Sequence, residues 1–451
     1  MAEREFDVVV IGAGAPGEVI AGRLADAGVA VAIVEERLVG GECSFYACMP
    51  SKALLRPVEL VAEAGRVAGL EVGDLDVHAV LARRDEVIHD EDDASQLPWL
   101  EERGIELVRG HGRLDGEKRV RVGDDVLTAR RAVVVATGSS ATIPDVPGLA
   151  EAKPWTNIEA TTAKEVPERL FVLGGGVVGV ELAQAWAALG STVTLAHRGT
   201  RLLEREERFV SDQIAEALRD TGVDVRLETN VVGVSRNGSV RVELDLGESV
   251  EADELLVAIG RTPRTGDLGL ETVGLEPGEY VEVDYSLRVA GHDWLYAVGD
   301  VNGRALLTHM GKYQARLAAD AILGKQVRLR SDGAASPGVI FTDPQVGSVG
   351  LRRAAAEEAG VRVRAIEVET GGNAGGSFVG KGAAGTALFV VDDERGILVG
   401  ATITGAEIAE ALHAATIAVV SEVPLEDLWH AVPAFPTRSE VWLKFLEAYG
   451  M

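Results

Sequence analysis

The sequence predicts an α/β protein, because one local pattern occurs twice in the first half of the chain. In each copy an apolar strand leads through three glycines in GxGxxG spacing into a helix, and a second strand follows. Each copy is typical of the opening βαβ unit of a Rossmann-like dinucleotide-binding domain. After Ala335, strands and amphipathic helices continue without a further GxGxxG, which predicts a third domain of α+β type.

The first copy predicts a strand over residues 6–11, a helix after the glycines, and a second strand over residues 29–34 that closes on Glu35. A side chain at the glycines would keep a pyrophosphate away from the N–H groups of the helix N-terminus, where the helix dipole favours negative charge. Glu35 follows the glycines by about 20 residues, where a carboxylate accepts hydrogen bonds from a ribose. The glycines of this turn are Gly12, Gly14 and Gly17.

The second copy predicts a strand over residues 170–173, a helix over residues 180–189 and a second strand over residues 192–195. Basic side chains follow this strand, where NAD-dependent enzymes commonly place an acidic residue for the free ribose hydroxyls. Cations suit a 2′-phosphate, so the sequence predicts that NADP(H) is preferred over NAD(H); a solvated basic loop is the alternative. The glycines are Gly174, Gly176 and Gly179, and the basic residues are His197, Arg198 and Arg201.

Two further apolar strands, over residues 132–136 and 254–259, end in glycine turns. We interpret them as the strands at which the chain returns to each nucleotide-binding unit. Residues 145–148, which contain a proline and a glycine, are predicted to link the two units. The residues at the two turns are Thr137, Gly138 and Gly260.

Length and composition limit the classes of function. A chain of 451 residues exceeds the size of one hydrophobic core, so about two to four domains are expected. The formal net charge of -27 disfavours nucleic acid and anionic membranes as partners. No apolar run reaches the roughly 18 residues that a membrane-spanning helix requires, and the N-terminus does not resemble a secretory signal. We therefore expect a cytoplasmic protein without membrane insertion.

The chain contains two cysteines, Cys43 and Cys48, too few for a four-thiolate zinc site or a disulfide scaffold, and no metal site is predicted. In a regular helix, residues five apart are too distant for a disulfide, whose Cα atoms lie about 4.4 to 6.8 Å apart. Gly40, Gly41 and Pro50 permit a distorted helix start that would bring the cysteines together. From the spacing alone, a redox pair and two inert buried thiols are equal alternatives.

Six motifs occur in an order that resembles the flavoprotein disulfide reductases, the family of lipoamide dehydrogenase, glutathione reductase and mercuric reductase. The resemblance extends over essentially the whole chain. It implies FAD as cofactor and a C-terminal domain through which two subunits form a homodimer and share the active site. The motifs are GGECSFYACMPSK around the cysteines, the two GxGxxG turns, ATG at residues 136–138, LYAVGD at residues 295–300 and FTDP at residues 341–344.

The resemblance implies an FAD domain that is interrupted by a nicotinamide domain. Residues 1–148 and 266–335 are expected to form the FAD-binding and central part of the molecule. Residues 149–265 are expected to form the NAD(P)-binding domain, and residues 336–451 the dimerisation domain.

The resemblance also implies roles for individual side chains. Cys48 would be the thiol beside the flavin, and Cys43 the interchange thiol that faces the substrate. Lys52 and Glu181 would form the family's ion pair near the flavin N5; a solvated lysine and a helix-surface glutamate are the alternative. Electrons would pass from NAD(P)H through FAD to the disulfide and onward from Cys43. Further contacts with FAD are implied for Thr137, Gly138, Asp300 and Thr308.

Two positions depart from the family pattern. The family motif HPTxxE contains a histidine that acts as acid and base for the interchange thiol and a glutamate that orients it. Here the glutamate is present as Glu440, whereas Phe435 replaces the histidine. His430 is an alternative acid, although a histidine near a helix end is more often structural. Glu42 stands where the family commonly has threonine, and its role stays open.

The leading prediction is an FAD-dependent NAD(P)H oxidoreductase with a redox-active Cys43–Cys48 disulfide and an atypical small-molecule acceptor, either quinone-like or an unusual thiol or disulfide. One alternative is a dihydrolipoamide dehydrogenase or small-disulfide reductase that uses another acid. Another is a redox-sensing or electron-carrying flavoprotein whose partner is a protein. Mercuric reduction is disfavoured, because those family members use a C-terminal cysteine pair, which this sequence lacks.

Overall fold

The computed structural model describes residues 3–245, 247–382 and 385–451. The strands are β1 (Glu3–Ile11), β2 (Val31–Glu35), β3 (Glu106–Arg109), β4 (Gly112–Leu114), β5 (Arg119–Val122), β6 (Asp125–Val135), β7 (Ser139–Ala141), β8 (Arg169–Leu173), β9 (Thr192–Ala196), β10 (Asp224–Arg226), β11 (Val231–Asn237), β12 (Ser239–Leu244), β13 (Ser249–Ala252), β14 (Glu254–Val257), β15 (Arg261–Pro263), β16 (Leu295–Ala297), β17 (Gly338–Ile340), β18 (Gln345–Gly350), β19 (Val363–Glu369), β20 (Thr386–Asp392) and β21 (Ile397–Gly405). The helices are α1 (Ala15–Asp26), α2 (Gly41–Phe45), α3 (Cys48–Arg66), α4 (Val77–Val87), α5 (Leu97–Glu102), α6 (Asn157–Thr162), α7 (Val177–Ala188), α8 (Arg208–Asp220), α9 (Thr308–Ile322), α10 (Arg353–Glu358), α11 (Ala374–Ser377), α12 (Ile408–Val420), α13 (Leu425–His430) and α14 (Glu440–Tyr449).

The chain folds into two compact units, and each unit is assembled from three separate segments. The first unit consists of the segment that ends at Pro50, Asp85–Thr142 and Gly260–Gly333. The second unit consists of Ser51–Arg84, Ile143–Ile259 and Ala334–Met451.

A mixed sheet forms the centre of the first unit, with strand order β3-β2-β1-β6-β5-β4 and with β16 paired to β6. The pairs among β3, β2, β1, β6 and β16 are parallel, whereas β5 and β4 continue antiparallel. Val8 and Val10 of β1 pack with α1 and α9, and Val9 and Ile11 belong to a second core cluster. The strand is therefore buried on both faces, which explains its uninterrupted hydrophobic run.

The second unit contains a parallel sheet in the order β10-β9-β8-β14 and an antiparallel sheet in the order β11-β12-β13. Helices α7 and α8 share a hydrophobic core with the parallel strands. Trp186 of α7 is fully buried in that core. The parallel sheet and α7 are the second βαβ unit that the sequence predicts.

The C-terminal segment of the second unit forms an antiparallel sheet in the order β17-β18-β21-β20-β19. Helices α12 and α14 pack with this sheet in one hydrophobic cluster. Phe389 of β20 stacks on Phe445 of α14, and their ring centroids lie 4.2 Å apart. The α+β character predicted for the residues after Ala335 is confirmed.

The mixed α/β class predicted from the sequence is confirmed, and the differences are confined to the ends of elements. Helix α7 begins at Val177, three residues before the predicted start, because Gly176 already occupies the N-cap position. Strand β14 ends at Val257, two residues before the predicted end. Residues 145–148 lie outside helices and strands. The division into four segments stays a prediction. In the part of the chain that the structure describes, no helix is long and apolar enough to cross a bilayer.

Candidate active site

The two cysteines lie at a break between two helices. Helix α2, which carries Cys43, has Gly40 as its N-cap and begins at Gly41, and only glycine readily adopts the φ angles of 111° and 62° found at these positions. It ends at Phe45, and α3 begins at Cys48. Both cysteines are free thiols and lie 3.0 Å apart. The break therefore provides the proximity that a continuous helix would deny to residues five apart.

The surroundings of the two cysteines favour the protonated form of the Cys43 thiol. The hydrogen bond that Cys43 shares with Cys48, together with burial, raises the pKa of the Cys43 thiol well above its usual range. Thr308, the first residue of α9, also hydrogen-bonds to Cys43, and its Oγ1 lies 3.2 Å from Cys48 Sγ. Cys43 therefore keeps its proton at neutral pH when the pair is reduced.

A cavity of about 520 Å³ in the first unit is lined in part by Cys43. The structure brings together here most of the residues that the sequence predicts as FAD contacts, from segments that are far apart in the chain. Those that line the cavity are Gly12, Gly14, Glu35, Thr137, Gly138, Asp300 and Thr308.

The three glycines of the first motif differ in whether the fold has room for a side chain. Gly12 has a φ of +101°, and a Cβ there would strike the carbonyl oxygen of Ala136. A Cβ on Gly17 would strike the carbonyl oxygen of Gly12. At Gly14, in contrast, a Cβ would meet nothing closer than the Gly41 Cα at 4.0 Å. The fold therefore requires the first and third glycines, whereas the second leaves space at the cavity wall that suits a closely approaching phosphate.

Carboxylates lie at two places in the cavity. Glu35 accepts hydrogen bonds from the N–H groups of Ala13 and Arg37, each at 2.7 Å, which fixes its carboxylate and leaves each oxygen able to accept another bond. Asp300 accepts a bond of 2.6 Å from the Ser139 hydroxyl. Burial raises the pKa of Asp300, although the bond from Ser139 opposes this shift.

Glu42, whose role the sequence leaves open, is paired with two arginines. Its Oε1 lies 2.6 Å from Arg264 Nη2, and its Oε2 accepts from Arg261. Both arginines follow the glycine turn at Gly260, whose carbonyl accepts from the Thr142 N–H. Sequence reasoning did not select these arginines, although the cluster GRTPR directly after a strand was a signal that could have marked them.

The three glycines of the second motif have steric surroundings similar to those of the first motif. Gly174 has a φ of +122°, and a Cβ there would strike the Ala258 carbonyl oxygen. A Cβ on Gly179 would strike the carbonyl oxygen of Gly174, whereas a Cβ on Gly176 would meet nothing within 4 Å. The second glycine is again the one for which the fold itself gives no reason, which is consistent with a dinucleotide site.

The basic residues after β9 differ in their surroundings. His197 Nδ1 accepts a hydrogen bond of 3.2 Å from the Gly175 N–H, and burial lowers the pKa of its ring. Arg201 donates to the Glu206 carbonyl at 2.9 Å and to the Ser211 hydroxyl at 2.8 Å. Arg198 is exposed. The neutral His197 and the engaged Arg201 leave Arg198 as the accessible cation of the three.

Lys52 and Glu181 form an ion pair within the second unit. Lys52 Nζ lies 2.6 Å from Glu181 Oε2, and the Glu181 side chain is 4% exposed. The Phe341 N–H donates to Glu181 Oε1 at 2.9 Å, and Lys52 Nζ lies 4.8 Å from the centroid of the Phe341 ring. Glu181 is therefore not a helix-surface glutamate, and its charge is matched by Lys52.

The C-terminal motif shows a different arrangement from that of a histidine oriented by a glutamate. Phe435 is 76% exposed. Glu440, the first residue of α14, accepts a hydrogen bond of 2.9 Å from the Gly375 N–H. His430 is exposed at the end of α13. Among the described residues, no group of three or more His, Cys, Asp or Glu side chains is arranged to hold a metal ion.

Comparison with known proteins shows matches over nearly the whole chain. The profile of the pyridine nucleotide-disulphide oxidoreductases matches residues 6–320, and the profile of their dimerisation domain matches residues 336–445. Mercuric reductase of Staphylococcus aureus is 31% identical over 447 residues, which cover 97% of this chain and 81% of that protein. Dihydrolipoyl dehydrogenase of Haloferax volcanii is 31% identical over 462 residues, which cover 98% of this chain and 95% of that protein.

The fold also matches solved structures. The Cu(II) complex of the HOCl-induced flavoprotein disulfide reductase RclA from Escherichia coli aligns with a TM-score of 0.86 and 26% sequence identity. The alignment covers 98% of this chain and 99% of that chain.

Proposed function

The chain belongs to the pyridine nucleotide-disulphide oxidoreductase family, and on that premise we propose that it oxidises NADPH and reduces an acceptor that needs no acid at position 435. Membership makes the protein an FAD-containing oxidoreductase. The resemblance predicted from six sequence motifs is confirmed. The acceptor, the preference for NADPH and the roles of individual residues are our proposal.

The cavity of the first unit fits the dinucleotide that the family binds. When bound, FAD supplies a carrier that receives two electrons from the nicotinamide and passes them to the cysteine pair. Lys52, held by Glu181, would supply a positive charge near the flavin, as the family resemblance implies. The other residues that would hold FAD are Gly12 and Gly14 at the pyrophosphate, in a turn that Gly17 permits, Glu35 at the ribose, Thr137 and Gly138 at the end of β6, Asp300 at the ribityl chain, and Thr308 at the pyrimidine.

We assign the two cysteines to different steps. Reduction of their disulfide by two electrons, with uptake of one proton, yields a Cys43 thiol and a Cys48 thiolate. The raised pKa of Cys43 supports this location of the proton. Cys43 is then the sulfur that meets the acceptor, and Cys48 is the sulfur that faces the flavin.

The observation that carries the proposal is the chemistry at position 435. A phenyl ring has no proton to give, and Glu440 is already bonded to the Gly375 N–H. A disulfide substrate releases a thiolate that must be protonated, and a general acid typically contributes about 10² to 10⁴ in rate. An acceptor that releases no thiolate does not need this acid.

Two classes of acceptor meet this condition. A quinone takes two electrons from NADPH together with two protons, of which one comes from NADPH and one from solvent, and becomes a hydroquinone. A thiolate-binding metal ion takes electrons without a proton, so that one NADPH reduces two Cu(II) ions to Cu(I) and releases NADP⁺ and H⁺. The names of two relatives, mercuric reductase and the Cu(II) complex of RclA, refer to such ions.

The test is to measure NADPH oxidation by the purified protein with a quinone, with Cu(II), with oxidised lipoamide and with glutathione disulfide. We expect turnover with the quinone or with Cu(II), and rates well below about 10 per second with both disulfides. Ordinary enzyme rates with either disulfide would show that the proposal is wrong.

A second candidate function is that of a dihydrolipoamide dehydrogenase. The relative in Haloferax volcanii favours it, because that protein is 31% identical and aligns over 95% of its length. This function requires another acid in place of the family histidine. His430 is the nearest candidate in the sequence, and a strong loss of lipoamide turnover in His430→Gln would support it.

The preference for NADPH is proposed from the side chains after β9. In the described part of this loop Arg198 is an exposed cation, His197 is held neutral by burial, and Arg201 is engaged with backbone carbonyls. A guanidinium suits a 2′-phosphate. We therefore assign the preference to Arg198 rather than to all three residues that the sequence selects.

The assembly and the division of the chain complete the proposal. The chain carries the dimerisation domain of its family, which supports a homodimer. We assign FAD binding to residues 1–148 and 266–335, nicotinamide binding to residues 149–265 and dimerisation to residues 336–451. The cytoplasmic location stays a prediction.

A further inference from the structure

We infer that Glu42 is a positioning residue for Cys43, because its carboxylate ties the short helix that carries Cys43 to two arginines on another segment of the first unit. The inference deepens the proposed function and rests on Cys43 and Cys48 acting as a redox pair. Glu42 stands where the family commonly has threonine, which has no carboxylate to pair with two arginines.

The ion pair gives each carboxylate oxygen its own arginine. Glu42 Oε1 lies 2.6 Å from Arg264 Nη2, and Oε2 accepts from Arg261 Nη2. The three side chains are 19%, 20% and 28% exposed for Glu42, Arg261 and Arg264. Partial burial shields the pair from solvent, which makes the geometry more defined than that of a surface salt bridge.

The arginines are fixed in turn by the strand beside them. Arg261 Nε donates to the Ser139 hydroxyl at 2.6 Å, and Arg264 Nε donates to the Ser139 carbonyl at 3.0 Å. The Ser139 hydroxyl donates to Asp300 at 2.6 Å. Glu42 is therefore attached to a network that includes β7, β15 and the turn at Asp300, and not to two mobile side chains.

Helix α2 needs such an anchor at its N-terminal end, because the side chain that it buries, Phe45, lies at its C-terminal end. It contains five residues, and its N-cap Gly40 provides no side-chain hydrogen bond. A helix of this length has no stability of its own in water. Its start is located by the close approach of Gly41 to Gly14, where a Cβ on Gly41 would strike the Gly14 Cα. Glu42 provides a second attachment one residue before Cys43.

The expected consequence is a change in how easily the two cysteines form their disulfide. In the equilibrium that is measured, reduced protein and glutathione disulfide form oxidised protein and two molecules of reduced glutathione. Its constant depends on how closely the fold holds Cys43 near Cys48, since proximity replaces an encounter in solution. A loosened α2 lowers this constant and makes the disulfide easier to reduce.

The experiment compares Glu42→Gln, Glu42→Asp and wild type, all saturated with FAD, in glutathione redox buffers. Glu42→Gln removes the charge and keeps the length, whereas Glu42→Asp keeps the charge but is too short to reach both arginines. If Glu42 acts by position, both variants lower the equilibrium constant by about tenfold, which corresponds to about 30 mV. Glu357→Gln, which removes an exposed partner of Arg353 in the second unit, is the matched control and leaves the constant unchanged.

A second variant keeps the inference testable if Glu42→Gln does not fold. Arg264→Gln removes one of the two attachments and is expected to lower the constant by a smaller factor. The double variant Glu42→Gln with Arg264→Gln is expected to resemble Glu42→Gln alone, because both changes act through the same contact. Additive effects in this cycle would overturn the inference.

The outcomes separate this inference from the proposed function. Equilibrium constants within twofold of wild type in both Glu42 variants would show that Glu42 does not position Cys43. A normal constant in Glu42→Asp with a low one in Glu42→Gln would show that charge, and not position, is the cause. A wild-type protein that forms no Cys43–Cys48 disulfide in any buffer would contradict the proposed function itself.

Discussion

The hydroxyl of Thr308 lies 3.2 Å from the sulfur of Cys48, at the first residue of helix α9. The N-terminal end of α9, which is the positive end of its dipole, therefore lies close to this sulfur, and the hydroxyl can donate to it. Cys43 forms hydrogen bonds with both Cys48 and Thr308. The hydrogen bond to Cys48 and burial raise the pKa of the Cys43 thiol. The surroundings of the pair thus favour a negative charge on Cys48 and a proton on Cys43.

This arrangement predicts that Cys43→Ser shows long-wavelength absorbance without any reductant. The change prevents the disulfide and leaves Cys48 free to form a thiolate next to oxidised flavin. The measurement is a visible spectrum of the purified holoprotein from neutral to alkaline pH. Cys48→Ser is the control and is expected to lack the band; absence of the band in Cys43→Ser as well would contradict the assignment of Cys48.

The nicotinamide site can be tested through the middle glycine of its motif. We expect Gly176→Ala to keep the melting temperature and the FAD content of wild type, because the added Cβ meets nothing within 4 Å. We expect its KM for NADPH to rise at least tenfold, because the methyl group occupies space that the pyrophosphate needs. Gly179→Ala is expected to lower the melting temperature, since its Cβ would strike the Gly174 carbonyl. An unchanged KM in Gly176→Ala would exclude this loop as the cofactor site.

The proposed preference for NADPH predicts a selective effect of Arg198→Ala. Hydrogen bonds to charged groups contribute about 1.5 to 3 kcal/mol, so kcat/KM for NADPH is expected to fall by about 10- to 160-fold while that for NADH stays within about twofold. Arg208→Ala, which removes an arginine that is 86% exposed at the start of α8, is the matched control. Equal losses for both cofactors, or a wild type that prefers NADH, would refute the assignment.

The replacement of the family histidine predicts a gain of activity in Phe435→His. Oxidised lipoamide or glutathione disulfide is expected to be reduced at least tenfold faster than by wild type, because an acid becomes available for the departing thiolate. Quinone reduction is expected to stay within about twofold. Val432→His is a suitable control, since Val432 is 82% exposed and lies in the same segment. A gain in quinone reduction of the same size would point to a cause other than acid catalysis.

The raised pKa of Glu18 on α1 predicts that the stability of the folded protein depends on pH. Burial raises the pKa of Glu18 to about 7, against the lowering effect of Lys312. An unfolded chain has a glutamate pKa of about 4.3, so the stability that the bound proton contributes is complete below this pH and is lost as the pH rises to about 7. Glu18→Gln is therefore expected to be more stable than wild type at pH 8, by at most on the order of 3 kcal/mol.

The corresponding measurement is the melting temperature of FAD-saturated wild type and Glu18→Gln between about pH 5 and 8. The difference in melting temperature between Glu18→Gln and wild type is expected to become smaller as the pH falls. Glu117→Gln, on an exposed turn of the same unit, serves as control. A difference that grows toward acidic pH would have the wrong sign and would contradict the raised pKa.

The sequence was sufficient for features that depend on local chemistry. Both βαβ units were predicted to within a few residues, because an apolar strand and the glycines that follow it act over a short stretch. The steric needs of Gly12 and Gly174 are examples, since each is set by a positive φ at the end of its strand. The phenylalanine at position 435 can also be read directly from the sequence, whereas its replacement of a catalytic histidine stays a prediction.

The sequence was insufficient for contacts between distant segments. Glu42 and Arg261 are separated by 219 positions, and no local pattern links them. The bond from the Gly375 N–H to Glu440 likewise joins the short helix α11 to the start of α14. The burial of Glu181 could not be distinguished from exposure, because α7 is apolar on most of its faces and offers no polar stripe as a guide.

The pairing of β16 with β6 has a consequence for how the protein is made. Leu295 of β16 lies opposite Val133 of β6, and Asp300 and Thr308 follow β16 in the sequence. A nascent chain on the ribosome therefore leaves the C-terminal end of β6 without this partner strand until β16 has left the exit tunnel. If Asp300 and Thr308 contact FAD as proposed, the complete flavin site forms only after that point, so the second glycine motif is synthesised before the site of the first one is complete.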